Sequence, residues 1–273
     1  MFLNLLSMNL DAIIIGIIQG IAEWLPVSSE GVIVLLENNV FHNFDNLEQL
    51  LNFALFLHLG TTCAAIVYFR KELWNIIKWI LNYKNAPEQE KSLIHYLIIT
   101  TTISGILGIA FLQIVENFEE SLTKSSKVIN ILVGILLLVT AYLQFKSKNQ
   151  TGEKKLPTIA DAILLGLTQS FAALPGLSRS GLTVSVLLLR NFDKKEALRL
   201  SFLMSIPIVI AGNILLNLNE FNAETSMLLA FLASFVFGYL TINWLLKVAE
   251  KINFAPFLVI VGILMIIASL ISV

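Results

Sequence analysis

Residues 159–190 read IADAILLGLTQSFAALPGLSRSGLTVSVLLLR. The stretch is apolar at both ends and is broken in the middle by Pro175-Gly176-Leu177-Ser178-Arg179-Ser180-Gly181. Proline and glycine end helices. Irregular backbone at membrane depth survives only where protein or a water-filled cavity surrounds it. Lys154 and Lys155 precede the stretch, and Arg190, Lys194, Lys195 and Arg199 close it or follow it. Under the positive-inside rule both flanks are cytoplasmic. The stretch therefore enters and returns on one side, as a re-entrant hairpin or as two short helices meeting at the Pro-Gly break.

The rest of the chain bears out a bilayer setting. Of 273 residues, 56% are hydrophobic and 14% charged, and the mean hydropathy is +0.81. A soluble domain carries roughly 25% charge, so a water-soluble enzyme is excluded. A net charge of -1 with no dominant basic run excludes nucleic-acid binding and disorder. The single cysteine, Cys63, excludes a disulfide framework and a Cys-based zinc site, and reads as a small packed residue. Spanning the hydrocarbon takes about 20 apolar residues. Six stretches qualify, 51–70, 93–115, 127–145, 199–217, 226–247 and 254–272, and a second broken stretch lies at 11–36.

Lys and Arg set the orientation. They crowd loops 70–92 and 146–158 and the segments 190–199 and 247–253, and are missing from 1–50 and 217–226. The crowded segments are expected in the cytoplasm, and the N- and C-termini outside. The stretch 11–36 is then re-entrant from the outside. The absence of Lys and Arg from residues 1–10 argues against a signal peptide. Trp74, Trp79 and Trp244 sit near basic residues, as interfacial tryptophans do.

The two broken stretches resemble each other. Asp11-Ala12-Ile13, Gly16, Gln19, Ala22 and Gly31 recur 150 positions on as Asp161-Ala162-Ile163, Gly166, Gln169, Ala172 and Gly181. Leu25-Pro26 matches Leu174-Pro175 with a slip of one. Three spans follow each copy. Three is odd, so the second copy is inverted. The expected fold is an all-α integral membrane protein of two inverted repeats, 1–150 and 151–273, with sites at the broken helices near the midplane.

Ionisable residues inside the bilayer are functional candidates. Glu23 and Glu30 lie in the first break and Arg179 in the second. Asp11 and Asp161, at the hairpin entrances, read as N-caps. Arg179 lies in a Gly/Ser/Pro loop leading into a helical run, where helix N-terminal amides and an Arg fork bind phosphate. Ser178, Ser180 and Thr183 offer hydroxyls beside it. Ser28 and Ser29 follow Pro26, with Glu23 upstream as a base for a hydroxyl nucleophile. Two further readings stand beside this one. Gln19 and Glu23, one turn apart, can hold a metal bridging two phosphates, and the serines can serve as helix caps. From spacing alone the site is a phosphate site within a membrane.

Gln19-Gly20-Ile21-Ala22-Glu23 followed by Pro26-Val27-Ser28-Ser29, together with Pro175-Gly176-Leu177-Ser178-Arg179-Ser180-Gly181-Leu182-Thr183, resembles the undecaprenyl-diphosphate phosphatase family, the bacitracin-resistance proteins. The matching elements are (E/Q)xxxE with a Pro-x-Ser-Ser turn, and PGxSRSxxT. Leu57-His58-Leu59-Gly60-Thr61 resembles a further block of that family. The resemblance implies hydrolysis of a polyprenyl diphosphate to its monophosphate, which recycles the lipid carrier of cell-wall glycans. It implies that Arg179, Ser178 and Ser180, with Gly176 and Thr183 of the same element, grip the diphosphate. Ser29 or Ser28 is then nucleophile or phosphate ligand. Glu23 and Gln19 supply base or metal contacts, and the cofactor is a divalent cation, Mg2+ or Ca2+. The implied partners are the lipid substrate and membrane lipids, with no nucleic acid; a homodimer is compatible with the plan.

One departure stands out. The family carries His directly after the glycine of the serine turn, whereas this chain has Val32. Glu30 is an unusual charge at that turn and is the expected substitute, as base or metal ligand. His42 is placed in an external loop, His95 at the start of a span, and His58 within a span, as a packed, hydrogen-bonded residue or as one supporting the site from behind. The alternative function is a polyprenyl-phosphate transporter or flippase, or a binder that does not hydrolyse.

Overall fold

The computed structural model describes residues 2–41, 43–44, 47–122, 126–147, 152–174, 176–216 and 225–271. His42, Lys124, Lys148 and Pro175 lie outside the described residues. The chain is all-helical: α1 (Phe2–Ala22), α2 (Ser29–Leu36), α3 (Leu47–Tyr68), α4 (Arg70–Leu81), α5 (Glu88–Leu122), α6 (Ser126–Ser147), α7 (Ile159–Ser170), α8 (Arg179–Leu189), α9 (Lys194–Leu216), α10 (Thr225–Lys251) and α11 (Ala255–Ile271). A π-helical turn, Glu37–Phe41, extends α2. The one β-type pairing among the described residues is an isolated bridge between Lys154 and Phe192.

Among the described residues, five helices are long and apolar enough to cross a membrane, α3, α5, α6, α9 and α10. The expected sixth span, 254–272, forms the 17-residue α11. At 1.5 Å per residue this is about 25 Å, just short of the roughly 30 Å hydrocarbon core. Residues 70–92, expected as a loop, contain the amphipathic helix α4. It exposes Trp74, Ile77, Ile80 and Leu81 on one side and carries Lys71 and Lys78, the pattern of a helix lying in a membrane interface.

Small residues set the packing, as expected where lipid removes the hydrophobic drive between helices. A side chain at Gly16 would strike the Ala230 carbonyl at 2.3 Å, so α1 lies directly on α10. A side chain at Gly166 would meet Ile103 at 2.8 Å, which brings α7 equally close to α5. Gly134 of α6 and Gly262 of α11 each face the other's carbonyl at 2.8 Å. The helices α3 and α9 pack together at the centre and are the most buried of the spans.

The hairpin α7–α8 returns to the end at which it starts. Lys154 N–H donates to the Asn191 carbonyl at 2.9 Å, and Asp161 near the start of α7 accepts from Arg190 just past the end of α8 at 2.7 Å. Ser92 donates to the Pro157 carbonyl, and Arg199 pairs with Glu72. The basic segments around 70–92, 154–158 and 190–199 therefore meet at one end of the bundle.

Neither entrance aspartate is an N-cap. Asp11 is in the middle of α1. Thr158 caps α7 and Asp161 is its third residue, completing a capping box. The side chain of Asp161 is fully buried, and its carboxylate also pairs with Lys154. It ties the two ends of the hairpin together.

Candidate active site

Each helix break is built in the same way. Ser28 caps α2 by accepting from Gly31 N–H at 3.2 Å, and Ser178 caps α8 by accepting from Gly181 N–H at 3.0 Å. Both bonds leave the first helical residue facing the break, Ser29 in one and Arg179 in the other. Two strained or permissive residues turn the chain into these caps: Ser28 at φ 61 and Gly176 at φ 94. A side chain at Gly176 would also strike the Val133 backbone at 2.8 Å. Cross-bonds hold the breaks together. Ser180 Oγ donates to the Leu25 carbonyl at 3.2 Å, and Gln144 Nε2 to the Pro26 carbonyl at 2.6 Å.

Glu23 lies at the centre, 6% exposed. One carboxylate oxygen, Oε1, pairs with Arg179 Nη2. The other, Oε2, accepts from Ser29 Oγ at 3.0 Å and Gln19 Nε2 at 3.1 Å, and lies 3.2 Å from His58 Nε2. Arg179 also donates to the Ser201 carbonyl at 3.4 Å. Its guanidinium carbon stands 5.5 Å from the Phe202 ring centroid, and Phe202 is held in turn by Trp24, whose ring centroid is 5.4 Å away. The guanidinium is thus aimed by a carboxylate, a carbonyl and an aromatic face.

These groups line a polar pocket of about 300 Å³ that includes Glu23, Ser28, Ser29, Glu30, His58, Ser178, Arg179 and Ser180. Beyond it runs a mostly apolar groove of about 1100 Å³ along α3, α5, α7 and α9, with Leu51, Leu55, Gly105, Gly108, Ile208 and Gly212 in its walls. The pocket and the groove share Glu30, His58, Ala172 and Arg179.

The structure brings most of the residues expected from sequence to one place, but not all. Gln19 is fully buried behind Glu23, outside the pocket lining, with its Oε1 unpartnered. Thr183, expected to contact substrate, is fully buried. Its hydroxyl donates to the Arg179 carbonyl at 2.8 Å and lies 2.7 Å from Ser201 Oγ, so it braces α8 on α9. Gly176 shapes the turn without lining the pocket. Ser28 and Ser178 line it with hydroxyls already engaged as caps. The Glu30 carboxylate faces the pocket with no hydrogen bond or ion pair among the described residues.

His58 is buried and hydrogen-bonded, as expected, and it also lines the pocket and meets Glu23. Its presence among the ionisable groups of a span was the signal available in the sequence. Phe202, Ser201 and Gln144 carried no such signal, because only the tertiary fold brings them beside the breaks. His95 lies at the basic end, 2.6 Å from Tyr83 Oη.

Known proteins resemble this chain along most of its length. Residues 12–267 match the model of a family described as bacitracin resistance protein BacA. The chain is 40% identical over 261 residues to an undecaprenyl-diphosphatase of Methanococcoides burtonii, covering 93% of this chain and 96% of that protein. It is 36% identical over 250 residues to an undecaprenyl-diphosphatase of Haloarcula marismortui, covering 90% and 91%. To one of Caldicellulosiruptor bescii it is 36% identical over 252 residues, again covering 90% and 91%.

Proposed function

Because the chain belongs to the bacitracin resistance protein BacA family, we propose that it is a multi-pass membrane phosphatase. It hydrolyses undecaprenyl diphosphate, or a similar polyprenyl diphosphate, to the monophosphate and inorganic phosphate. The observation that carries this reading is the convergence of Arg179, Glu23 and Ser29 in a pocket that opens into an apolar groove. A polar headgroup fits the pocket, and the prenyl tail fits the groove.

In this reading Arg179 exchanges Glu23 for phosphate oxygens, which its planar fork suits. Ser178 and Ser180 hold the headgroup loop in place. Ser29 is the nucleophile, since its hydroxyl already donates to Glu23, the base that takes its proton. Hard divalent cations take one or two carboxylates plus substrate phosphate oxygens. The carboxylate of Glu30, which makes no ion pair among the described residues, suits Mg2+ or Ca2+ on these terms, with Glu23 beside it once Arg179 has moved. Gln19, buried behind Glu23, orients that carboxylate rather than contacting the ion. A bound cation supplies charge neutralisation on the diphosphate.

The same reading takes 1–150 and 151–273 as inverted halves, with both termini outside the cytoplasm. The packing supports it: α1 lies on α10 as α7 lies on α5, and α3–α9 and α6–α11 pair counterpart with counterpart. The test is phosphate release from a polyprenyl diphosphate by the purified protein, with Arg179→Ala and Glu23→Ala as controls. Release abolished by both supports the phosphatase. Substrate binding without release by the unmodified protein overturns it in favour of a transporter or non-hydrolysing binder.

A further inference from the structure

A second cavity, of about 700 Å³, reaches from the helix breaks, at Pro26 and Gly181, to Lys194 and Lys251 at the ends of α9 and α10. It shares no lining residue with the pocket or the groove described above. Gln144, whose Nε2 donates to the Pro26 carbonyl, is part of its wall. Two lysines line the cavity, and no carboxylate does. Neither lysine makes an ion pair among the described residues; Glu250 acts on Lys194 from outside the lining. Lys194 is also the first residue of α9, where the positive end of the helix dipole disfavours a cation.

The neutral groups in the lining are donors too. Ser185, on α8, is 1% exposed, yet its hydroxyl makes no hydrogen bond among the described residues. Buried hydroxyls on these helices otherwise bond back to a carbonyl one turn earlier, as Ser104 and Thr183 do. Asn253 accepts from Ala255 N–H at 3.1 Å through its amide oxygen, which leaves its NH2 group as a donor. Donors thus converge from α8, from α9 and from the turn between α10 and α11, and two of them carry positive charge. An anion with several oxygens satisfies such a set, and lysine binds phosphate as a point charge. We propose that this cavity is a phosphate-binding site, separate from the reaction pocket, that takes either inorganic phosphate or the phosphate of a phospholipid headgroup between Lys194, Lys251 and Ser185. The site does not depend on the phosphatase reading above.

The test is calorimetric titration of the full chain in an uncharged detergent, in one arm with inorganic phosphate and in the other with a short-chain phosphatidic acid. The unmodified protein is compared with the double variant Lys194→Gln with Lys251→Gln and with Ser185→Ala, which keeps both charges. Arg179→Lys alters the reaction pocket alone and separates binding there from binding in the cavity. The expected result is a binding event that persists in Arg179→Lys and weakens at least about tenfold in the double variant, the scale of a lost hydrogen bond to a charged group. Ser185→Ala is expected to weaken it a few-fold, and it keeps the proposal testable if the double variant fails to fold. Weakening in the inorganic phosphate arm assigns the site to free phosphate, and weakening confined to the phosphatidic acid arm assigns it to a lipid headgroup. Isotherms in both arms that are the same for the unmodified protein and the lysine and serine variants overturn the proposal, as does the absence of binding by the unmodified protein in both arms. Phosphate release from a polyprenyl diphosphate is a separate measurement, so failure of the phosphatase reading is distinct from failure of this site.

Discussion

Glu23 and Arg179, 156 positions apart in the chain, form one ion pair across the two helix breaks, with side chains 6% and 16% exposed. Removing one partner of a buried pair strands the other charge, at about 3–5 kcal/mol. Arg179→Ala and Glu23→Ala are therefore expected to lower thermal stability in detergent as well as abolish phosphate release. Arg179→Lys keeps the charge but not the fork. It is expected to keep most of the stability and to lose roughly 10²-fold in kcat, as when one preorganised donor is removed. Unfolding temperature and phosphate release measured on the same preparations separate the two effects.

The adjacent serines have different tasks. Ser28 Oγ accepts from Gly31 N–H, whereas Ser29 Oγ donates to Glu23. Ser28→Ala is expected to lose about 1 kcal/mol of stability through the lost cap and to retain turnover. Ser29→Ala is expected to retain stability and lose turnover. Equal loss of activity in both variants would count against Ser29 as the nucleophile.

The groove predicts chain-length selectivity. A side chain at Gly108 would meet nothing within 4 Å, so bulk fits there without disturbing the fold. Gly108→Phe is expected to raise KM for a long polyprenyl diphosphate by about tenfold or more, as a few lost buried methylenes would. A short prenyl diphosphate, ending before this wall, is expected to keep its KM. Parallel steady-state kinetics on the two substrates decide the matter.

Glu30 gives a prediction about the cation. Chelation of divalent ions is expected to stop phosphate release, and added Mg2+ to restore it. In Glu30→Gln, half-maximal activity is expected to need a markedly higher Mg2+ concentration, because a carboxylate ligand has become a neutral one. Turnover and Mg2+ dependence unchanged from the parent protein would remove Glu30 from the site chemistry.

Asp161 belongs to the scaffold. Its buried carboxylate accepts from Lys154, Thr158 and Arg190 and closes the mouth of the α7–α8 hairpin. Asp161→Ala is expected to destabilise the protein by about 2 kcal/mol, the scale of a lost hydrogen bond to a charged group. KM for substrate in the surviving folded fraction is expected to be unchanged. Limited proteolysis at 152–158 alongside kinetics reads both.

Much of the molecule was legible in the chain. Apolar runs of about 20 residues specify spans because lipid cannot satisfy an open backbone, and the breaks at Pro26 and Pro175-Gly176 stand out because such interruptions need shelter. Glu23, Glu30 and Arg179 were marked by the cost of charge in hydrocarbon, and Ser29 by its neighbours. The 150-residue offset also extends to the caps, Ser28 with Gly31 and Ser178 with Gly181. Periodicity did not disclose where each polar side chain points. Thr183 turns toward Ser201, Gln19 lies behind Glu23, and His58 enters the pocket from α3 while Phe202 reaches Arg179 from α9. Those directions depend on how helices cross, and the crossings are set by close approaches such as Gly16 on Ala230 and Gly60 on Phe231. One-dimensional pattern records the cost of burying a group, whereas its partner is chosen only when distant helices come within hydrogen-bond range.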